Sequence, residues 1–538
     1  MKRKLFAGVT ALFLIFSCLL LTVGGEAAGE IFDEDFKGVG SEATEIQDWH
    51  ELNEIRDDLS SDYVLVEDLD EDTDGYEDYN AQREDHEVVY FAGPDEDWED
   101  GDTIEIPYGE DEYDSVLSVE DEDGNLISHT VDHPTITIDE DVGENYLGVN
   151  FENAVVGWEP IGNNESPFNG TFDGNGHEIS DLNIKRGGTS GIGIFGFTSE
   201  EVEIKDIGLV DVDVKGLGYV GGLVGYNKGT ISDSHVTGEV SGVSSIGGLV
   251  GLSQEGDVKT SYATSDVSGM GGTVGGLVGL SHSIHESYAT GDVSGSGAVG
   301  GLVGLTRGTI SRSFATGDVN GEEKVGGLVG HNAGGPDAYI EQSFATGEVN
   351  GEEFVGGLVG HNKDDIEDSY ATGDVNGGEI VGGLVGLNSA GPGLGSPDMP
   401  FPSTVKTSYA TGEVTGEENV GGLVGLTESG NVTYSYWDIE TSEIEESDGG
   451  TGLTTEEMTG AEAEDNMEGF DFEEIWETVE KNDEDAVKDS YPILQELDRE
   501  EQLKAQNVYG EDDVIPGFAS TLLLMAVFVA LAVYHKKL

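Results

Sequence analysis

Val220-Gly221-Gly222-Leu223-Val224-Gly225 is the stretch that decides the fold, because close copies of it recur along the middle of the chain. A second block, typified by Ser261-Tyr262-Ala263-Thr264, keeps step with it. Each apolar run is short and lies between glycines, which predicts short strands and tight turns. One such unit cannot bury its own apolar face, so the units must stack and pair their backbones. The hexapeptide starts at Val220, Ile246, Val274, Val299, Val325, Val355, Val381 and Val420.

The repeats predict an all-β fold, a parallel β-solenoid of about ten coils. Variation between the repeats indicates which residues face inward. The position that is always Ile or Val, as in Ile310, should point into the core, whereas the two polar positions after it face water. Two outward neighbours in a strand imply a bend. The glycine pairs should form tight corners, through positive φ or close backbone approach.

After the bend, the small Ser and Ala side chains point inward and the aromatic residue between them points outward. The sequence therefore predicts an external column of stacked rings, which we call the aromatic ladder. It is a candidate binding surface for a glycan or a cell-surface protein, or a device that only stabilises adjacent coils. The ladder comprises Tyr262, Tyr288, Phe314, Phe344, Tyr370, Tyr409 and Tyr436.

Acidic residues outnumber basic residues 110 to 23, and the formal charge is −87. This balance excludes a nucleic-acid binder that works by neutralising phosphates. The acid is spread along the whole chain, which favours a surface adapted to very high salt. The only cysteine, Cys18, lies in an apolar N-terminal segment, so the mature protein has no disulfides. No cofactor is predicted.

Residues 1–28 have the plan of a secretory signal peptide. Lys2-Arg3-Lys4 precede an apolar run, Leu5–Val23, and small residues follow at Ala27-Ala28. The run is long enough to serve instead as an uncleaved anchor.

Residues 516–538 form a second targeting candidate. Pro516-Gly517-Phe518 precede the apolar stretch Ala519–Tyr534, which basic residues close. This is a membrane-spanning candidate with its C-terminus inside. Its order also resembles the PGF-CTERM sorting signal of archaeal surface proteins. That resemblance implies an archaeosortase partner, a lipid anchor in the membrane and, with the acidic composition, a haloarchaeal source. Such proteins often carry a Thr-rich stalk, which the short tether 501–515 lacks.

The repeats resemble the GLUG family, whose core motif is this Gly-Leu-Val-Gly stretch. Trp158–Gly162 and Phe168–His177 resemble the usual start of such arrays, and Ser435–Asp438, Gly449–Thr454 and Tyr491–Leu494 resemble the usual end. The resemblance implies a microbial surface protein or adhesin, in some members beside a peptidase.

The flanks suggest caps on the solenoid. An amphipathic helix from Ile46 to Leu59 and a strand at Tyr63–Val66 should close the front, and helices at Thr455–Asn466 and Phe472–Val479 the back. A hairpin signal at Asp123-Gly124-Asn125 lies within a predicted inserted β module. The predicted segments are the signal peptide 1–28, acidic segment and cap 29–84, insert 85–156, solenoid 157–440, cap 441–500, tether 501–515 and sorting segment 516–538.

No catalytic constellation is recognisable. His50-Glu51-Leu52-Asn53-Glu54 lacks the second histidine of a zinc peptidase motif. A column of carboxylates recurs once per coil, which indicates a structural feature, because an active site would break the pattern once. We therefore expect a non-enzymatic adhesin or envelope rod; the alternative is a polysaccharide-binding or carbohydrate-active β-helix. The carboxylate column comprises Glu239, Asp266, Asp292, Asp318, Glu348, Asp374 and Glu413.

Smaller motifs suggest modification and metal binding. Asp70, Asp72 and Asp74 open like a calcium loop, but position twelve is Ala81, so an acidic turn is the alternative. Sequons make three asparagines candidates for N-glycosylation. These are Asn164, Asn169 and Asn431.

Overall fold

The computed structural model describes residues 43–92, 103–105, 115–120, 126–132, 135–138, 146–335, 338–390, 402–480 and 488–506. The description below concerns the unit Glu45–Leu538 and the adjoining residue Thr44. The signal peptide 1–28, the Asp123-Gly124-Asn125 turn, most of the tether and the sorting segment 516–538 lie outside the described residues.

The described part of Glu45–Leu538 is dominated by a parallel β-solenoid, as the repeats predict. Each coil contributes short strands to one large sheet and one strand to a second sheet of nine strands. The strands run parallel and in register, so that Val258 pairs with Ile284 and Tyr262 with Tyr288 in the next coil. The nine strands of the second sheet make about nine coils, close to the ten expected. The second sheet comprises Phe195–Phe197, Val224–Asn227, Val250–Ser253, Val278–Ser281, Val303–Thr306, Val329–Asn332, Val359–Asn362, Val385–Asn388 and Val424–Thr427.

In the large sheet the first coils are formed by long strands, and later coils break into four segments. The long strands are Thr171–Ser180, Asn183–Ile192, Glu203–Val220 and His235–Gly247. The segments with the inward Ile or Val are Thr230–Ser232, Asp257–Lys259, Ser283–His285, Ile310–Ser311, Tyr339–Glu341, Asp365–Glu367, Thr404–Lys406 and Asn431–Thr433. The aromatic segments are Tyr262–Ala263, Tyr288–Ala289, Phe314–Ala315, Phe344–Ala345, Tyr370–Ala371, Tyr409–Ala410 and Tyr436–Asp438, followed by Thr451–Leu453.

The two remaining segments of each coil follow the aromatic segment. Those that start near the carboxylate column are Asp266–Gly269, Val293–Gly295, Val319–Asn320, Val349–Asn350, Val375–Asn376 and Val414–Thr415. Those that lead into the hexapeptide are Thr273–Gly275, Ala298–Gly300, Glu323–Gly326, Glu353–Gly356, Glu379–Gly382 and Glu418–Gly421.

The core is a set of columns of identical or similar apolar side chains. The predicted inward position is buried in the coils from Ile231 to Val405, which confirms the inference from variation between repeats. Val432, in the last coil, is only partly buried. The predicted bend is also present, because the second polar residue is left-handed: Thr260 has φ 44° and Arg312 has φ 46°.

The glycine pairs are required by close backbone approach, the second of the two reasons expected for glycine at these positions. The pair Gly300-Gly301 is not among the positive-φ residues of the described part. A Cβ on Gly301 would lie 2.1 Å from the carbonyl oxygen of Gly327 in the next coil, and one on Gly300 would lie 2.1 Å from that of Val303. Close approach of backbones therefore excludes every larger residue.

Buried serines tie each coil to the next. The Ser287 hydroxyl donates to the His285 carbonyl oxygen at 2.8 Å and accepts the Ser261 N–H at 3.2 Å. The same pair of contacts recurs at Ser313, one coil later. Because each of these serine N–H groups is satisfied only when the serines of neighbouring coils align, this column fixes the register of the coils.

The N-terminal cap closes the front of the solenoid. It contains a strand at Thr44–Ile46, helix α1 (Trp49–Glu54), a 3₁₀ turn at Ile55–Asp57, a strand at Tyr63–Leu65 and helix α2 (Tyr76–Asn80). The Asp48 carboxylate caps α1 by accepting the Glu51 N–H at 2.8 Å. Trp49 is fully buried and its ring lies 5.7 Å from that of Trp158 at the start of the array.

Between the cap and the first coil the chain forms antiparallel strands. One three-stranded sheet consists of Arg83–Ala92, Tyr146–Val155 and Ser115–Glu120, and the other of Thr103–Glu105, Thr135–Ile138 and His129–Asp132. Their apolar residues form a small core of their own, against which Met270 of the solenoid packs.

The C-terminal cap contains helices α3 (Thr455–Met458), α4 (Glu462–Asn466) and α5 (Arg499–Ala505) and an antiparallel strand pair, Trp476–Val479 with Ser490–Leu494. Thr454 and Glu457 form a capping box at α3. The helix expected at Phe472–Val479 is therefore wrong. Trp, Thr and Val favour strands, and pairing with a distant segment outweighs a short apolar periodicity.

We expect Gly301→Ala to destabilise the solenoid by about 1–3 kcal/mol, because its methyl group would collide with the neighbouring coil. Chemical denaturation followed by circular dichroism measures this. The control is Gly218→Ala, whose added Cβ would meet the Ser190 hydroxyl at 3.2 Å as its nearest neighbour. Equal losses in the two variants would contradict the role of close coil approach.

Candidate functional site

The aromatic ladder is a continuous stack. From Tyr262 to Tyr409 neighbouring ring centroids lie 4.8 to 5.0 Å apart with planes within 5° of parallel. This distance equals the spacing of the coils. His235 extends the stack, with its ring 4.8 Å from that of Tyr262. The sequence analysis missed His235, although Ser234-His235-Val236-Thr237 occupies the place of the Ser-Tyr-Ala-Thr block.

Most rings of the aromatic ladder are buried, which corrects the expectation that the ladder is exposed along its length. Tyr262 and Tyr288 are half-buried, but the rings beyond them are buried. The buried members are Phe314, Phe344, Tyr370, Tyr409 and Tyr436, which are 8%, 0%, 0%, 0% and 5% exposed.

The C-terminal cap covers these rings. Phe470 and Trp476 belong to the same apolar cluster as the ladder, and Trp476 lies 5.7 Å from Tyr409. The Tyr409 hydroxyl donates to the Pro492 carbonyl oxygen at 2.6 Å, and the Tyr370 hydroxyl contacts Gln502 Oε1 at 3.0 Å. Burial raises the pKa of both phenols well above their usual value. The alternation of inward and outward side chains in each repeat does indicate that the rings point away from the core. It cannot show that the C-terminal cap, a later segment of the chain, covers them.

We expect Trp476→Ala to cost about 3–5 kcal/mol, because it removes a fully buried ring from this cluster. Thermal denaturation measures the loss, and spectrophotometric titration should show buried tyrosines ionising at lower pH. Tyr434→Ala is the control, since Tyr434 is 50% exposed. An unchanged tyrosine titration in the Trp476 variant would contradict the covering role of the cap.

The carboxylate column joins neighbouring coils. Asp266 accepts the Asp292 N–H at 3.1 Å, Asp292 accepts the Asp318 N–H at 3.0 Å, and Asp318 accepts the Glu348 N–H at 2.9 Å. The Asp374 carboxylate holds the Glu413 N–H in the same way. These side chains therefore have a repeated structural task, and a shallow groove runs beside them from Glu239 to Asn320.

The weak calcium candidate lies in an exposed turn. Asp70 Oδ1 accepts the Asp72 N–H at 3.0 Å and the Thr73 hydroxyl at 2.8 Å. Among the described residues, no group of three or more His, Cys, Asp and Glu side chains is arranged to hold a metal ion. Calcium binding by Asp70, Asp72 and Asp74 stays a prediction.

The three sequon asparagines, Asn164, Asn169 and Asn431, are exposed. Asn169 is also hydrogen-bonded to the Ser199 hydroxyl. Their accessibility is compatible with glycosylation, which stays a prediction.

The solenoid also contains a stacked histidine pair, which the sequence analysis did not single out. His331 and His361 pair in register with each other, and their rings lie 4.8 Å apart. In the neighbouring coils the same position is Leu305 and Leu387. His331 Nε2 and His361 Nδ1 are buried without a hydrogen-bond partner.

Burial is the main reason that the pKa of His331 falls to about 4 and that of His361 to about 3. The positive charges of Lys363 and Lys324 lower both values further. At neutral pH both imidazoles are therefore uncharged.

The pair should make the fold acid-sensitive. The unfolded chain binds these protons near pH 6.5, whereas the folded chain binds them only near pH 4 and pH 3. The free energy of unfolding is therefore at its full value above pH 6.5 and decreases as the pH falls toward 4. We expect the double variant His331→Leu/His361→Leu to lose less stability than the parent between pH 7 and pH 4. Melting curves across that range test this. A difference between parent and variant that stays constant with pH would contradict it.

Comparison with known proteins supports the reading of the repeats. A family model described as the GLUG motif matches residues 216–241 and 355–376. The solenoid carries GLUG motifs. No solved structure matches the chain.

Two relatives share part of the GLUG-bearing chain. Over 107 residues it is 36% identical to Halomucin of Haloquadratum walsbyi. The matched segment covers 19% of this chain and 1% of that protein. Over 83 residues it is 37% identical to a protein of Evansella cellulosilytica described as a Gly-rich membrane protein, covering 15% of this chain and 10% of that one. The chain thus spans a small part of the length of either relative. Within the described ranges, no helix is both long and apolar enough to cross a bilayer.

Proposed function

We propose that this chain is a non-enzymatic, surface-attached protein that acts as an adhesin or as a structural rod of the envelope in high salt. The observation that carries the proposal is the uniformity of the GLUG-bearing solenoid. Its carboxylates, serines and rings recur at equivalent positions and contact their own copies in the next coil. Such contacts build a long regular surface and leave each group committed to structure.

The names of the relatives favour a surface location. One is called Halomucin and the other a Gly-rich membrane protein. The N-terminal segment 1–28 would direct secretion, and the segment 516–538 would attach the protein at the outer face of the membrane. Its resemblance to a PGF-CTERM signal supports processing by an archaeosortase and transfer to a lipid anchor.

The net charge favours work in high salt. The excess of 110 acidic over 23 basic residues would be strongly self-repelling at low ionic strength. At about 1 M salt the screening length falls to roughly 3 Å, shorter than the distance between coils. Molar salt is therefore the condition in which the solenoid should be most stable.

A polysaccharide-binding role is the second candidate, and the uncovered end of the aromatic ladder favours it. His235, Tyr262 and Tyr288 are parallel, half-buried rings that the described part of the C-terminal cap leaves partly accessible. Aromatic faces of this kind stack on sugars.

Disruption of the gene in the producing organism tests the proposal. We expect cell adhesion, biofilm formation or envelope integrity to decline and to be restored by the full chain. A chain ending at residue 515 should be secreted without restoring them, because it lacks the attachment segment. Unchanged adhesion, biofilm and envelope after disruption would contradict the proposed role.

A further inference from the structure

One edge of the solenoid carries basic residues in a chain that is otherwise acidic. The register of the second sheet aligns Ser281 with Thr306, Thr306 with Asn332, and Asn332 with Asn362. The residues that follow these positions therefore form one outward column. We call the basic members of this column the basic edge: Lys228, His282, Arg307 and Lys363.

The stacked histidines lie directly beside this edge. His361 Nε2 is hydrogen-bonded to the Ser389 hydroxyl at 2.8 Å, across to the next coil. Ser389 lies two residues after Leu387, the residue that pairs with His361 in the next coil. Lys363 likewise lies two residues after His361, the residue that pairs with His331. His331 Nε2, however, has no hydrogen-bond partner. His361, only 8% exposed, also keeps its Nδ1 unpartnered.

The cations around His331 are largely uncommitted. Arg307 is exposed and Lys363 is half-buried, and neither forms an ion pair with a described residue. Lys324, on the neighbouring segment, is paired with Glu323.

Two nearby carboxylates interact with other groups. Asp364 is occupied by the backbone N–H groups of Gly335 and Asp365. Glu353 faces Lys324 and raises that lysine's pKa, in opposition to burial. The charges that act on the His331 pKa are all positive, from Lys363, Lys324 and Arg307. Three cations therefore lie close enough to act on this imidazole.

We propose that the basic edge binds an acidic polysaccharide, with a carboxylate or sulfate group seated between Arg307 and Lys363, beside the buried Nε2 of His331. Arg307 and Lys363 donate charge-assisted hydrogen bonds to this group. The inference rests on the proposed surface role and names the class of ligand.

The spacing of the edge suits an extended polymer. Arg307 and Lys363 are two coils apart, about 10 Å, and Lys228 lies three coils before Arg307. Several weak contacts along one chain add up through effective concentration. Nucleic acid is the poorer fit, because its binders neutralise about 6–10 phosphates and the basic edge offers only Lys228, His282, Arg307 and Lys363.

The test measures binding of the full chain to polygalacturonate and dextran sulfate, with uncharged dextran and potassium sulfate as comparison probes. Arg307→Gln/Lys363→Gln should weaken binding roughly tenfold or more. The matched control is Lys259→Gln/Lys406→Gln, which removes the same charge from lysines already paired with Asp257 and Glu367. This control should bind like the parent.

A spectroscopic measurement separates the site from general charge. Bound polyanion should raise the pKa of His331, observed by nuclear magnetic resonance of the imidazole. His331→Leu/His361→Leu should fold, since leucine holds this position in adjacent coils, and should bind the polymer like the parent, because the buried ring nitrogens do not contact it.

Three results would overturn the inference: equal weakening in both glutamine variants, no effect of polymer on the imidazoles, or free sulfate saturating the site as tightly as the polymer. Loss of polymer binding with adhesion intact would reject this inference alone. Polymer binding by a protein whose gene disruption changes neither adhesion nor envelope would reject the proposed surface role alone.

Discussion

The constraint on which the whole structure depends is the in-register pairing of each coil with the next. Backbone hydrogen bonds fix neighbouring coils at the strand spacing of about 4.8 Å. Every side chain is therefore placed against its own counterpart, as with Tyr370 and Tyr409 or Val258 and Ile284. Apolar columns become a core and aromatic columns become stacks. The glycine pair follows from the same constraint, since Gly301 lies where two coils approach too closely for a Cβ.

This constraint explains how much of the fold the sequence reveals. Residues compared between repeats report on neighbours one coil away, so the inward Ile column, the bend at Arg312 and the parallel architecture could be predicted. Burial of Tyr409 could not, because the residues that cover it, such as Trp476, come from a segment outside the repeat. The wrong helix at Phe472–Val479 has the same origin. Its strand exists because Ser490–Leu494 pairs with it, and no local periodicity encodes that partner.

The candidate sites follow a similar division. Repetition identified the aromatic ladder and the carboxylate column, and the structure gives both a task within the scaffold. The exceptions to the repeat were harder to see. His235 replaces an aromatic residue and His331 and His361 replace leucines, so each breaks a column by one side chain only. Their meaning depends on what stands beside them in the next coil, as Lys363 does for His331.

The same geometry sets a tension for the charges. Asp266, Asp292 and Asp318 each accept a backbone N–H from the following coil, which stabilises the stack. Yet the pairing holds their like charges about one coil spacing apart, well inside the roughly 8 Å screening length of dilute physiological salt. Molar salt shortens that length below the coil spacing and leaves the hydrogen bonds in place. The carboxylate column is thus a structural device whose net benefit grows with salt, so the repeat and the acidic composition point to the same environment.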